Sequence, residues 1–405
     1  VDIQIRAART EEQQRSFEVC EAAFSEGVNP ADVDRWSRVV APERTVIALD
    51  GENIVGTGAN FTFDMTIPGT KVPVAGVTMI GVLPTHRRRG ILRKVMAGLH
   101  EDAARRDETV AVLWASEAGI YQRFGYGHAA GICALDAPKQ RVVFHQPSRP
   151  RLMRMVELDE AVRLLPEIYD RVAQVTPGML SRDEAWWRYH RLADPEHHRG
   201  GKSKKFCAVL EVDGRLEGYV LYRSEYSWEP ETSSQIWVEE AMATGTDTTR
   251  DIWQFIFEID LAERVRYPLA PTDTPLKHMV LEPGWLKLRY DDALWLRVLD
   301  VPGALDARDY AAAERIVFDL SDPGAPDNHG TWFLDTTGDN ARVARSDDRP
   351  QVSLDINDLG ALFLGGTTLT ELLQAGRGTE HEPGAARRLD DLFRTERAPW
   401  CPEIF

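Results

Sequence analysis

Three arginines and a glycine, Arg87-Arg88-Arg89-Gly90, stand where a helical pattern begins in VLPTHRRRGILRKVM, residues 82–96. Ile91, Val95, Leu99 and Ala103 recur every four positions, with Leu92 and Met96 beside them, the spacing of one buried helix face. A helix N-terminus already carries partial positive charge and free N–H groups, so cations there oppose the dipole. An anionic ligand resolves the conflict. Backbone amides, guanidinium forks and a glycine that lets a ligand approach closely together suit a diphosphate.

Charge distribution points the same way. The 405 residues include 64 acids and carry a formal net charge of −16, yet no Asp or Glu lies between Asp64 and Glu101. Lys71, Arg87, Arg88, Arg89, Arg93 and Lys94 fall in that window. A positive site in a negative protein fits a small anion better than a long polyanion, and the acidic balance excludes a general nucleic-acid binder. Two further places carry chemistry. Tyr121 and Tyr126 in ASEAGIYQRFGYGHA offer phenols, and APWCPEIF closes the chain with apolar and proline-stiffened residues that predict a docked tail.

These residues need elements to position them. TEEQQRSFEVCEAAF predicts a helix with Thr10 and Gln13 in capping-box spacing and Phe17, Cys20 and Phe24 on one face. TVIALDGENIVGTGANFTF is a hairpin around Asp50-Gly51, and PVAGVTMIGV is a strand that runs into the arginine loop. TVAVLWAS reads as a buried strand, EAGIYQRF as a short helix and YGHAAGICAL as the closing strand of this first sheet. The opening stretch, residues 1–10, reads as a short strand without the apolar segment of a signal peptide.

The order recurs. FCAVLEVDGRLEGYVLYRSEY turns at Asp213-Gly214, 163 residues after Asp50-Gly51, followed by the strand QIWVEEAMAT and the helix DTTRDIWQFIFEIDLAE. This predicts a duplicated α/β unit. In place of LPTHRRRGIL the second copy has TGTDTTRDIW, with Asp247 as an ordinary N-terminal cap, so it reads as structural. From about Val301, strands followed by helices predict a separate α+β domain, with SDPGAPDNHG and GRGTEHEPGA as mobile loops. AWWRYHRL reads as a packing helix capped by Ser181 and Glu184, and His197-His198 as loop surface. GGKSKK is no P-loop, since Glu196 stands where that motif needs glycine. No apolar run is long enough to span a membrane, and four scattered cysteines without a CxxC pair predict isolated thiols in a reducing, cytoplasmic compartment.

Arg87 to Leu92 resembles the pyrophosphate loop Q/R-x-x-G-x-G/A of the GNAT acetyltransferases, with Leu92 where that family has a small residue. ASEAGIYQRFGYGHA resembles the strand, helix and Y-x-x-x-G-F/Y stretch of the same family. PTHRRRG, ASE-x-GIY-x-RFGYG and a terminal phenylalanine are similar to the Eis (enhanced intracellular survival) acetyltransferases of actinobacteria. That resemblance implies two tandem GNAT-like mixed sheets flanked by helices, over residues 1–137 and 138–299, and a sterol-carrier-protein-like α+β domain over 300–405. It implies a homohexamer that acetylates amines, aminoglycosides among them, with acetyl-CoA as co-substrate and no metal.

Residue by residue, the resemblance places acetyl-CoA on the backbones of Ile80 and Val82 and on Arg87, Arg88, Arg89, Gly90 and Ile91, with Ser116 as a further contact. Tyr121 matches the general acid that protonates the leaving thiolate, and Tyr126 the packing position. The terminal carboxylate of Phe405 matches the base, with Glu403 or Glu26 as other carboxylates. Phe24, Glu26 and Trp36 match the wall of an amine pocket. A small cationic acceptor follows, whether aminoglycoside-like, polyamine or lysine side chain. Two rival expectations are a catalytically silent CoA- or lipid-binding protein, and a GNAT that acts on protein lysines or uses longer acyl donors.

Overall fold

The computed structural model describes residues 3–146, 152–226 and 234–405; Val1 and Asp2 of the expected first strand lie outside it. The chain opens with β1 (Gln4–Ala7), a 3-10 turn at Thr10–Glu12 and α1 (Gln13–Phe24). The expected Thr10–Gln13 cap does not form, because the first turn is a 3-10 turn that already contains Thr10. Glu12 caps instead, accepting from the Arg9 amide at 2.8 Å while Arg6 holds its carboxylate at 2.6 and 2.7 Å. Then come α2 (Pro30–Ser37), β2 (Thr45–Asp50), β3 (Asn53–Ile67), β4 (Thr70–Val82), α3 (Ile91–Ala104), β5 (Val110–Trp114), α4 (Ala118–Tyr121) and β6 (Gly127–Pro138). The Asp50-Gly51 hairpin is present.

The second series is β7 (Leu152–Val156), α5 (Leu158–Ala173), α6 (Glu184–Trp186), β8 (Phe206–Val212), β9 (Arg215–Glu225), β10 (Gln235–Ala243), α7 (Thr246–Glu258), β11 (Arg264–Ala270), α8 (Leu276–Met279) and β12 (Arg289–Val298). The last is α9 (Val301–Asp306), β13 (Arg315–Ser321), β14 (Gly330–Asp335), β15 (Arg342–Arg345), β16 (Val352–Asp355), α10 (Ile356–Leu362), α11 (Leu369–Gln374), β17 (Thr379–Glu380) and α12 (Ala385–Phe393). No helix among the described residues is long and apolar enough to cross a membrane.

The chain forms two compact units. The first holds residues 1–130, 293–399 and 403–405, the second 131–292 and 400–402. In the first, β1, β2, β3 and β4 pair antiparallel in sequence, β4 runs parallel to β5, and β12 closes the sheet antiparallel to β5. The apolar face of α3 covers this sheet, with Ile91, Val95, Met96, Leu99 and Ala103 all buried against Ala75, Val77, Ala111 and Leu113. Burying each such side chain contributes about 1.5–3 kcal/mol. Arg44 pins the far end of α3, reaching Asp102 at 3.0 Å and gripping Glu108 at 2.6 Å through two nitrogens.

The second unit repeats that pairing pattern: β7, β8, β9 and β10 antiparallel in turn, β10 parallel to β11, and β6 antiparallel to β11. The duplication read from the two Asp-Gly turns is therefore visible in the topology. One expectation is corrected. In the strand order β12, not β6, stands beside β5 with β6 next to β12, and Cys133 to Pro138 of β6 pair with Ala270 to Arg264 of β11. Strand partners far apart in sequence leave no mark on local periodicity. Two caps also differ. Gly245, not Asp247, caps α7, its amide donating to Thr248 at 3.0 Å, and Asp183 caps α6, accepting from the Trp186 amide at 2.6 Å. Trp186 and Trp187 are buried and His197 and His198 exposed, as expected.

The residues after Val301 build a five-stranded sheet in the order β15, β14, β13, β16, β17. The sequence reading missed β15, β16 and β17, whose two to four residues are too short to show alternation. Its two expected mobile loops each carry side-chain to backbone hydrogen bonds. Asp322 is 1% exposed and accepts from the amides of Gly324 and Ala325 at 3.0 and 3.2 Å, and Glu380 accepts from those of Gly384 and Ala386 at 3.1 and 2.9 Å. These side chains serve local backbone, exposed at Gly324 and Gly384 and buried at Ala386.

Candidate active site

The arginine loop lies between a 3-10 turn at Pro84–His86 and α3, which has no acid in its first turn. Arg88 is left-handed, with φ 63, and so is Gly90, with φ 75. Successive changes of backbone hand turn neighbouring N–H groups toward one concavity, the arrangement of anion-binding loops. A Cβ on Gly90 would meet nothing within 4 Å, so glycine is needed there for its dihedral and the space beside it is open.

The arginines divide their work. Arg87 turns back, its Nη2 donating to the Ala23 carbonyl at 2.7 Å, which ties the loop to the last turn of α1. Arg88 and Arg89 are exposed. The first hairpin supplies a counter-charge: Asp50 lies 3.3 Å from Nε2 of His86 and 3.9 Å from Nη1 of Arg89. Ile91 is buried, so only its backbone can serve a ligand.

Sequence reasoning missed the feature that frees the strand before the loop. Met79 has φ 53, and the register between β3 and β4 shifts there, a β-bulge. The parallel ladder to β5 runs over Val74–Gly76. Past it, Val82 pairs with Gly56 of β3 while Ile80 falls within the register shift, and backbone groups of both can meet a ligand. VTMIGV carries no signal for this.

Tyr121 ends α4. It is buried, stands edge-on to Tyr126 with ring centroids 6.2 Å apart, and shares a hydrogen bond with the exposed Ser116 side chain. Burial foremost, then the neighbouring Cys20 thiol, pushes the phenol up to about 12, against the opposite pull of Ser116. It therefore holds its proton at neutral pH. Tyr126 is fully buried, its hydroxyl 3.0 Å from Nε2 of His100, and burial raises it well above the ordinary tyrosine range. Cys20 is buried and its thiol is pushed up to about 12, chiefly by burial and then by Glu21 and Glu26, so it is no thiolate nucleophile.

The chain terminus meets an aromatic wall. The Phe405 ring lies edge-on to Phe61 at 6.2 Å and to Phe63 at 5.5 Å, and Phe61 stacks on Trp36 at 5.8 Å. Trp36 and Phe405 are thus brought to one surface. Phe61 and Phe63 were absent from the sequence-based pocket, although the alternation in NFTF puts both on one face of β3. The guanidinium of Arg35 lies 5.4 Å from the Trp36 ring and pairs with Asp32 at 3.1 Å. Phe24 is 51% exposed, so it is not the core residue its helix face suggested; Glu26 is exposed and Glu403 fully buried. The tail is docked as expected, Trp400 donating its indole N–H to Leu269 at 2.9 Å and its amide to Pro177 at 2.8 Å.

The chain is similar to known proteins along its length. An acetyltransferase (GNAT) domain family matches residues 4–129, a second acetyltransferase (GNAT) domain family matches 178–298, and a sterol carrier protein domain family matches 301–402. An uncharacterized N-acetyltransferase of Streptomyces avermitilis is 35% identical over 99% of each chain. N-acetyltransferase Eis of Mycobacterium tuberculosis is 32% identical over 94% of each. The crystal structure of Eis1 from Mycobacterium abscessus superposes with a TM-score of 0.87 at 31% identity, covering 99% of this chain and 100% of its own. The fold is two GNAT domains followed by a sterol-carrier-like domain.

Proposed function

The chain belongs to the Eis family of GNAT N-acetyltransferases, and from that premise we propose that it moves acetyl from acetyl-CoA directly to a primary amine of a small cationic acceptor. The backbones of Ile80, Val82 and the Arg87–Ile91 loop hold the coenzyme, with charge from Arg88 and Arg89 and a further contact from Ser116. The Phe405 α-carboxylate takes a proton from the incoming ammonium. The amine nitrogen then bonds to the acetyl carbonyl carbon, the carbon–sulfur bond breaks, Tyr121 donates its proton to the departing sulfur, and the second proton lost by the nitrogen returns the phenolate to phenol.

Several observations support these roles. A phenol pushed up to about 12 by burial retains its proton for donation. The same burial disfavours a bare thiolate beside it, which favours its capture. Cys20 is buried and protonated, in keeping with direct transfer. An aromatic wall of Trp36, Phe61 and Phe63 attracts a cation through its ring faces, and the exposed carboxylate of Glu26 adds to that pull. Phe24 lines the same approach. The observation that carries the reading is the seating of Phe405 on Phe61 and Phe63, which fixes the last residue instead of leaving it frayed. A homohexamer in the cytoplasm completes the proposal, and sedimentation and cell fractionation test it.

The test of the reaction is free-thiol release from acetyl-CoA with an untagged C-terminus, across aminoglycosides, polyamines and lysine peptides. Release that depends on the small amines supports the reading. CoA binding by calorimetry without any release identifies a silent binder. Preference for peptides or longer acyl donors moves the assignment to a protein acyltransferase.

A further inference from the structure

The turn that carries Tyr121 continues from α4 into a 3-10 turn at Gln122–Phe124 and ends at Gly125, with φ 84. Such a short helical segment leaves backbone carbonyls in need of donors. The carbonyls of Gln122, which also accepts from the Gly125 amide at 3.1 Å, of Phe124, and of Tyr126 just past the turn receive side-chain hydrogen bonds from far along the chain. Asn357 in the first turn of α10 donates from Nδ2 to the Gln122 carbonyl at 2.7 Å and to the Tyr126 carbonyl at 2.9 Å. Arg297 on β12 donates from Nη1 to the Phe124 carbonyl at 2.9 Å.

Each donor is itself fixed. Asp355 caps α10, accepting from the Asp358 amide at 2.9 Å, so Asn357 projects from a capped turn. Arg297 is 4% exposed, and its Nη2 is held by both oxygens of Asp322 at 2.9 and 3.1 Å. Asp322 in turn accepts from Asn328 at 3.2 Å. The seam is at backbone contact: a Cβ on Gly127 would stand 1.8 Å from the Asn357 carbonyl oxygen, and one on Gly125 1.6 Å from Nη1 of Arg297.

We propose that Asn357 and the Arg297–Asp322 pair are positioning residues for Tyr121, so that α10 and the Asp322 loop of the sterol-carrier-like domain form part of the acetyl-transfer machinery through the tyrosine turn. This rests on the reading of Tyr121 as the general acid. A proton donor must lie within hydrogen-bond reach of the departing sulfur, and a misplacement near 1 Å costs about a hundredfold in rate. The coenzyme loop lies on other elements. Loosening the turn therefore lowers kcat and spares the KM for acetyl-CoA.

The test is a double-mutant cycle with Tyr121→Phe and Asn357→Asp, the latter the same size but with an acceptor where two donated bonds were. Asn357→Ala accompanies it, and Thr368→Ala, which removes the cap of α11 in the same domain, controls for lost stability alone. The expected result is a kcat lowered about ten- to a hundredfold by Asn357→Asp, with the KM for acetyl-CoA within about twofold. That loss disappears in the Tyr121→Phe background, and Thr368→Ala keeps kcat. Hydrogen exchange gives a readout apart from turnover, with the Gly125 and Tyr126 amides exchanging faster in Asn357→Ala.

An Asn357→Asp loss of equal size with and without Tyr121 overturns the proposal. So do an unchanged kcat and unchanged exchange when Tyr121→Phe is impaired. Full turnover in Tyr121→Phe alone removes the acid assignment, and the proposal with it, whatever the exchange shows.

Discussion

The hydroxyl of Tyr126 stands 3.0 Å from Nε2 of His100, while its neighbour Tyr121 shares its bond with Ser116. The two phenols of one short motif thus have different company. Tyr126 is sealed in the core, and Tyr121 is partnered by an exposed serine.

Removing each hydroxyl should separate the roles. Tyr121→Phe is expected to lower kcat about a hundredfold, the lower range for a lost general acid. Tyr126→Phe leaves His100 without its partner and should cost about 1–3 kcal/mol of stability with kcat changed little. Steady-state kinetics and urea unfolding of the two variants check both halves. Equal kinetic defects would refute the division.

His100 itself predicts a pH dependence. Burial, and after it the charge of Arg297, pushes its imidazole down to about 3 in the folded protein. An unfolded chain protonates histidine near 6.5. Between those values the unfolded state binds the extra proton, so stability is full above about pH 6.5 and falls as pH drops toward 3. The slope from this one group is at most about 1.4 kcal/mol per pH unit. Urea midpoints measured from pH 7 to pH 4.5 should fall more steeply for the native protein than for His100→Gln.

Much of this site was legible in advance. The Asp50-Gly51 and Asp213-Gly214 turns mark both hairpins, and the spacing from Ile91 to Ala103 marks α3 and its buried face. These are local signals, set by turn chemistry and helical period. What escaped was non-local. That β6 pairs with β11 depends on residues more than a hundred positions apart. The Met79 bulge depends on how β4 meets β3, and the bonds from Asn357 to the Tyr121 turn cross more than two hundred residues. Phe24 shows the limit of periodicity: it continues the Phe17–Cys20 stripe, yet α1 ends there and leaves it half exposed.

Arg88 and Gly90 permit a test of the loop. Both are left-handed, a conformation that costs a non-glycine residue about 1–3 kcal/mol. Arg88→Gly relieves that strain, so stability should hold or rise by up to about 1 kcal/mol. It also removes an exposed charge, so the KM for acetyl-CoA should rise about tenfold, equivalent to about 1.4 kcal/mol. Gly90→Ala should lower stability, since its Cβ is strained by the backbone although it meets no neighbour within 4 Å. Thermal melts and acetyl-CoA titrations should therefore move apart for Arg88→Gly and together for Gly90→Ala.

The terminal carboxylate can be moved without altering any side chain. Adding one glycine after Phe405 leaves its ring free to keep its edge contacts with Phe61 and Phe63. The carboxylate, however, shifts by about 3.5 Å along the chain. That exceeds hydrogen-bond reach, so a general base there would be lost and kcat should fall about a hundredfold with little change in the melting temperature. Phe63→Ala should act differently, loosening the seat and lowering both stability and turnover. In the proposed role the Phe405 carboxylate removes a proton from an ammonium, so raising the pH should partly restore the extended variant, as more acceptor arrives already neutral. Turnover unchanged by the added glycine at every pH would assign the base to another group.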